Sequence, residues 1–148
     1  DIWLNEGFAT YWTALYFAHA EGAERLIEWA DAAEGSIIRD PGGSVWVDDT
    51  TNVWRIFDGR LTYRKGGFLL HMLRWVLGDS AFWTGVRSYY HSFQDSFART
   101  ADLQRHLEMA ADTSLKEFFE DWFYGEGYPS YTVCEHCAND LTWVGRLF

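Results

Sequence analysis

Between positions 68 and 77 the chain reads F-L-L-H-M-L-R-W-V-L. Its apolar residues Phe68, Leu69, Leu70, Met72, Leu73, Val76 and Leu77 cover more than one face of any helix drawn through them. A surface helix needs a single apolar stripe, whereas a segment apolar around much of its girth has to be enclosed by neighbours. The stretch 61–79 is therefore expected to form a central helix, stopped at Gly78, and the rest of the chain supplies the packing partners. A helix over 6–20 would distribute Phe8, Trp12, Leu15 and Phe17 or His19 around its packing side. A second, over 23–38, repeats Leu26, Ala30, Ala33 and Ile37 at helical spacing with Glu24, Glu28 and Asp31 outward. Asp40-Pro41-Gly42-Gly43 breaks the pattern, and 44–60 has no sustained period, so it reads as an irregular loop. A loop of that length in a compact domain is more often functional than not.

Beyond Gly78, Asp79 is placed to cap a helix over 80–97 with a stripe of Phe82, Val86, Tyr89 or Tyr90, Phe93 and Phe97. Thr100 is placed to cap a fifth helix with Leu103, Leu107 and Ala110 inward and Asp102 in its first turn. Ser114-Leu115-Lys116-Glu117 has the form of a capping box and would launch a sixth through Phe118, Phe119, Trp122 and Phe123, ended by Gly125 and Gly127-Tyr128-Pro129. After that, 130–133 and 141–147 read as two short strands. The expected fold class is mainly α, with a helical part at 1–129 and a short β tail at 130–148. The tail could open a following β-sandwich but could not bury a sandwich core by itself.

Charge and composition narrow the function classes. A net charge of -10 argues against nucleic acid or anionic membrane as partner, since both need clustered Lys and Arg. No apolar run approaches the roughly 20 residues of a membrane span. Neither an initiator Met nor a basic leader is present, so compartment is not legible, and neither is oligomeric state. The nine Trp, eight Tyr and eleven Phe suit a core or a substrate cleft, and most are expected in the core. Cys134-Glu135-His136-Cys137 is half of a zinc or redox motif without a second half, and reads mainly as two incidental thiols. His19 stands alone and reads as a packed or half-exposed histidine rather than a ligand.

Two stretches carry chemistry. Read by itself, Glu6 is an acid in a helix's first turn, favoured there by the helix dipole and set beside an Asn5 cap. Tyr63 alone is an aromatic at a helix entrance, and Lys65 a solvated charge. Yet W-L-N-E-G-F-A at positions 3–9 resembles the segment carrying the third zinc ligand of M1 family aminopeptidases, and Y-R-K-G at 63–66 resembles their second signature. The resemblance continues through A-R-T-A-D-L-Q-R-H-L-E, F-F-E-D-W and G-Y-P-S-Y, covering about 1–133. It implies the helical half of a thermolysin-like metallopeptidase domain, with Glu6 as a Zn2+ ligand, Tyr63 as hydrogen-bond donor to the oxyanion, and a peptide as substrate.

In that family two further ligands come from an H-E-x-x-H helix, whose Glu serves as general base. No H-E-x-x-H occurs here, and His19, His71, His91, His106 and His136 show no such pairing. The G-x-M-E-N-type segment that captures the substrate amine is likewise missing. The chain is therefore expected to be a piece of a larger enzyme and inactive alone. Two alternatives are another gluzincin such as an M61-like peptidase, whose zinc helix is also followed by W-x-x-E-G, and a degenerate member serving as a binding scaffold.

Overall fold

A computed structural model describes residues 1–128, and the expected β tail, with Cys134 and Cys137, lies outside the described residues. The described chain is mainly α. Its elements are α1 (Trp3–Glu21), α2 (Glu24–Arg39), the short α3 (Val53–Ile56), and a π-helical turn (Gly59–Lys65) that runs straight into α4 (Gly66–Phe93). They are succeeded by α5 (Thr100–Ala111), α6 (Lys116–Phe119) and a second π-helical turn (Glu120–Tyr124). Among the described residues there is no strand.

The first half of α4 is the centre. Leu69, Leu70 and Leu73 are fully buried, and α4 packs chiefly on α1 and α5. Each such leucine stabilises the fold by about 1.5–3 kcal/mol. The expectation of a helix enclosed along its whole length fails at its last turn before Gly78. There Trp75 and Val76 are exposed, because α1 and α5 cover only the faces carrying the buried leucines. Gly78 breaks the helix as expected, with φ 73° and ψ 161°. A left-handed φ of this kind is open to glycine at little cost. Asp79 does not cap the second half of the helix. Its carboxylate takes two bonds from the Arg74 guanidinium, at 2.6 and 2.8 Å, and that guanidinium lies 5.3 Å from the Trp83 ring centre. The second half ends at Phe93 rather than 97, and Phe97 is 97% exposed.

Helix α1 begins a turn earlier than expected, so Asn5 lies inside it and caps nothing. Its packing face also differs: Trp3, Leu4, Gly7, Tyr11 and Ala14 are buried, while Trp12, Phe17 and His19 are exposed. The reason is the crossing with α4. Gly7 meets Gly66 there so closely that a Cβ on Gly7 would lie 2.9 Å from the Gly66 carbonyl carbon. The face therefore centres on the smallest residue rather than on Phe8. Trp3 seals the same end. Its indole N–H donates to Thr100 Oγ1 at 2.8 Å, the Thr100 hydroxyl donates to Asp1 Oδ1 at 2.7 Å, and its ring packs on Phe123. Thr100 is thus the first residue of α5 and not its cap. That cap is Arg99, whose N–H donates to Asp102.

Two further expectations are corrected. The Ser114 capping box does not form, because Glu108 Oε1 of α5 accepts the Leu115 N–H at 2.7 Å, and α6 starts only at Lys116. The 44–60 loop is irregular but contains α3 and the start of the first π-turn. Nor, among the described residues, are most aromatics in the core. Trp3, Tyr11, Phe82, Phe119 and Phe123 are, whereas Tyr16, Trp54, Trp75 and Tyr90 are well exposed, since a single layer of helices covers α1 and α4 on some sides only.

The crossing gives a direct test. Gly7→Ala places a methyl against backbone that cannot yield, so it should destabilise by about 1–3 kcal/mol, the usual cost of overpacking. Gly42→Ala, with nothing within 4 Å of its Cβ, should be close to neutral. Thermal unfolding of the two variants against the parent reads the difference.

Candidate functional site

Helix α1 projects Glu6 from its first turn, on the side next to the Gly7 contact. The π-turn projects Tyr63 from the segment that enters α4. Because Gly7 and Gly66 touch, the two side chains open into one groove of about 620 Å3. Thr10, Thr13 and Phe17 of α1 and Arg25, Glu28 and Trp29 of α2 are among the other residues that line it. Both side chains are half-buried. The Thr10 hydroxyl donates to the Glu6 carbonyl at 2.7 Å, and its methyl lies against Gly67, where it helps fill the crossing.

No salt bridge engages the Glu6 carboxylate among the described residues. Its polar neighbour is the Tyr63 phenol. Desolvation raises the pKa of that phenol above its ordinary value, and the charge of Glu6 and hydrogen bonding to it raise it further. A phenol is neutral at neutral pH in any case, and can donate a hydrogen bond. Arg25, at the groove's far edge, is engaged by Glu21 at 2.6 Å and Glu28 at 2.9 Å, an exposed cluster of little energetic weight. Behind the groove wall, Trp29 packs on Tyr11 and His71. The buried Tyr11 hydroxyl lies 3.4 Å from both His71 Nδ1 and Arg74 Nη1, and burial, then the charge of Arg74, lowers the His71 pKa.

A carboxylate with no cation paired to it among the described residues is a suitable zinc donor, so Glu6 fits a metal as one ligand. It does not make a site alone. Among the described residues no three His, Cys, Asp or Glu side chains converge on a point. A larger groove, about 760 Å3, lies beside Phe8, Trp12, Trp83, Tyr89 and Phe93, but no acid or histidine lines it. The groove shared by Glu6 and Tyr63 is therefore the candidate site.

Sequence reasoning did not find Gly7 and Gly66 as the contact that joins the two halves of this groove, although paired small residues on two apolar helices are the available signal. Lys65 is corrected outright. It is 2% exposed rather than solvated, with Nζ 3.3 Å from the Gly125 carbonyl and 3.5 Å from that of Gly43. Burial, joined by the charge of Arg60 and partly opposed by Glu126, lowers its pKa to about 8.

Residues 1–122 match the family described as "Peptidase family M1 domain". The chain is 30% identical over 140 residues to glutamyl aminopeptidase of Rattus norvegicus, covering 90% of this chain and 15% of that protein. It is 31% identical over 136 residues to aminopeptidase N of Lactobacillus delbrueckii subsp. lactis, covering 87% and 16%. Against probable aminopeptidase 1 of Saccharolobus solfataricus it is 29% identical over 162 residues, covering 100% and 20%. The chain thus spans 15 to 20% of the length of these relatives. No helix among the described residues is long and apolar enough to cross a membrane.

This geometry is open to two measurements. With Cys134 and Cys137 replaced by Ser, the 148-residue chain should show no tight one-to-one zinc site in calorimetry, since one carboxylate is too few ligands. A tight site lost on Glu6→Gln would contradict that. The second concerns pH. Between the folded pKa of Lys65, about 8, and its ordinary value of 10.5, the unfolded chain binds the extra proton, so stability rises with pH across that window. Lys65→Met should lack this rise when denaturation midpoints are compared at about pH 8 and about pH 9.5, below the range where tyrosines titrate.

Proposed function

The chain belongs to peptidase family M1, and from that premise we propose that it is part of a zinc-dependent aminopeptidase removing N-terminal residues from peptides. In this reading Glu6 supplies one zinc ligand and Tyr63 the donor to the oxyanion. The observation that carries it is the shared groove: a half-buried carboxylate with no salt-bridge partner among the described residues and a phenol face one concavity, though they come from widely separated parts of the sequence. The relatives' names, aminopeptidases throughout those described above, support the substrate class.

Zinc, when bound, supplies Lewis acidity and an activated water. This chain's own residues act around it. Glu6 offers an anionic oxygen, held in place by the helix whose position the Gly7 contact sets. Tyr63 donates a hydrogen bond to the substrate carbonyl oxygen, and that bond strengthens as negative charge develops there, which is how a fixed neutral donor lowers a barrier. A phenol suits the role because it stays protonated at neutral pH. Trp29 and Phe17 give the groove an apolar wall. The other ligands and the general base would come from segments outside these 148 residues, so the chain alone should be inactive.

In the full-length protein, Tyr63→Phe should keep fold and zinc content while kcat falls on the order of 100- to 1,000-fold, about 2.7–4 kcal/mol, with little change in KM. Glu6→Gln should instead lose zinc and activity together, because an amide is a poorer ligand than a carboxylate. Metal analysis alongside steady-state kinetics separates the two. Parental activity in a zinc-replete Tyr63→Phe enzyme would remove the oxyanion role.

A further inference from the structure

The π-turn that carries Tyr63 is an uncommon conformation. π-Helices are rare and occur mostly as single turns, frequently at functional sites, so this one has to be held by its surroundings. At its start Asp58 accepts the N–H groups of Arg60 and Leu61, both at 2.8 Å. At its end the Gly66 N–H reaches back five residues to the Leu61 carbonyl. Tyr63 faces the Glu6 groove, whereas Lys65 is buried against the Gly43 and Gly125 carbonyls.

That second side is bound to a loop by three basic residues spaced five apart. Arg60 donates to the carbonyls of Asp40 and Gly42, at 2.8 and 2.7 Å. Arg55 donates to those of Ser44 and Trp46, at 2.8 and 2.9 Å. Lys65 takes the Gly43 carbonyl and also reaches Gly125, beyond the second π-turn. The loop and that second turn are themselves joined, since the Trp46 N–H donates to the Phe123 carbonyl at 3.0 Å. Lys65 is the buried member of the set and the one that touches all three segments. No carboxylate pairs with it among the described residues. Packing alone gives no reason for a cation there, because an apolar side chain of similar size would fill the space without the cost of desolvating a charge.

We propose that Lys65 is a positioning residue for Tyr63: by fastening loop 40–46 and the Gly125 turn to the back of the π-turn, it holds that turn in the register that aims the Tyr63 hydroxyl into the Glu6 groove. The inference rests on Tyr63 being the oxyanion donor. Without the ammonium, the turn is free to relax toward the commoner i→i+4 pattern, which would rotate Tyr63 relative to Glu6. A displacement of about 1 Å is enough to cost a well-placed catalytic group on the order of a hundredfold.

A double-mutant cycle in the full-length protein tests it. Lys65→Met should lower kcat by roughly tenfold to a hundredfold, with KM and zinc content close to parental. In a Tyr63→Phe background the same substitution should cost less than about threefold, because residues acting through one group are not additive. A purely structural role predicts instead that the two losses multiply, and that result, or a parental kcat in Lys65→Met, overturns the proposal. If Lys65→Met does not fold, Lys65→Gln, which carries no charge and is one atom too short to keep both carbonyl contacts, goes through the same cycle with the same criteria. The Tyr63→Phe arm tells the two readings apart. A parental kcat there removes the oxyanion assignment and the Lys65 role with it, whereas a large loss there combined with additivity removes the Lys65 role alone.

Discussion

Where α1 crosses α4, backbone meets backbone, and the groove depends on that contact. At Gly7 there is no room for a side chain, because a Cβ there would lie 2.9 Å from the Gly66 carbonyl carbon. The approach places Glu6 and Tyr63, which lie close to the contact on either side, over the same concavity. Any larger residue at Gly7 would push the helices apart and separate the carboxylate from the phenol. The close crossing also lets Leu69, Leu70 and Leu73 on one side of α4 share a core with Tyr11 of α1. Dispersion contacts of this kind are individually small and fall off steeply with separation. Geometry of the groove and cohesion of the core therefore have one origin.

Backbone carbonyls of loop 40–46 show how a segment with no regular structure is kept in place. Five of them, from Asp40, Gly42, Gly43, Ser44 and Trp46, are taken by Arg60, Lys65 and Arg55. A loop cannot satisfy its polar groups internally as a helix does, so these must find partners or water. Here the partners come from the segment that leads into the turn carrying Tyr63, and the loop is ordered by the same chain it supports. The two contacts of Lys65 are long for a charged donor, in keeping with the lowered pKa of this amine.

Family membership gives these features their context. In the proposed reading Glu6 and Tyr63 make up part of a metal-centred site, and the groove between them holds donors from this chain only. The many exposed aromatics are consistent with a chain spanning 15 to 20% of the length of its relatives.

Much of this was legible in the sequence. Helical periods marked the elements, Gly78 and Asp40-Pro41-Gly42-Gly43 marked their breaks, and W-L-N-E-G-F-A with Y-R-K-G pointed to the family and to the two residues proposed for its site, Glu6 and Tyr63. Those signals are local, arising from side-chain spacing and from residues that cannot continue a helix. Everything that depends on which surfaces meet was left to the tertiary structure. The packing face of α1 turned on Gly7 rather than on its aromatics, since the helix that approaches closest sets the centre of the interface. The Ser114 box lost to Glu108, and the Thr100 hydroxyl went to Trp3 and Asp1, because tertiary partners outcompeted local caps. Lys65 reads as a surface charge in one dimension. Only the folded chain, by wrapping loop 40–46 and the Gly125 turn around it, made it the buried cation behind Tyr63.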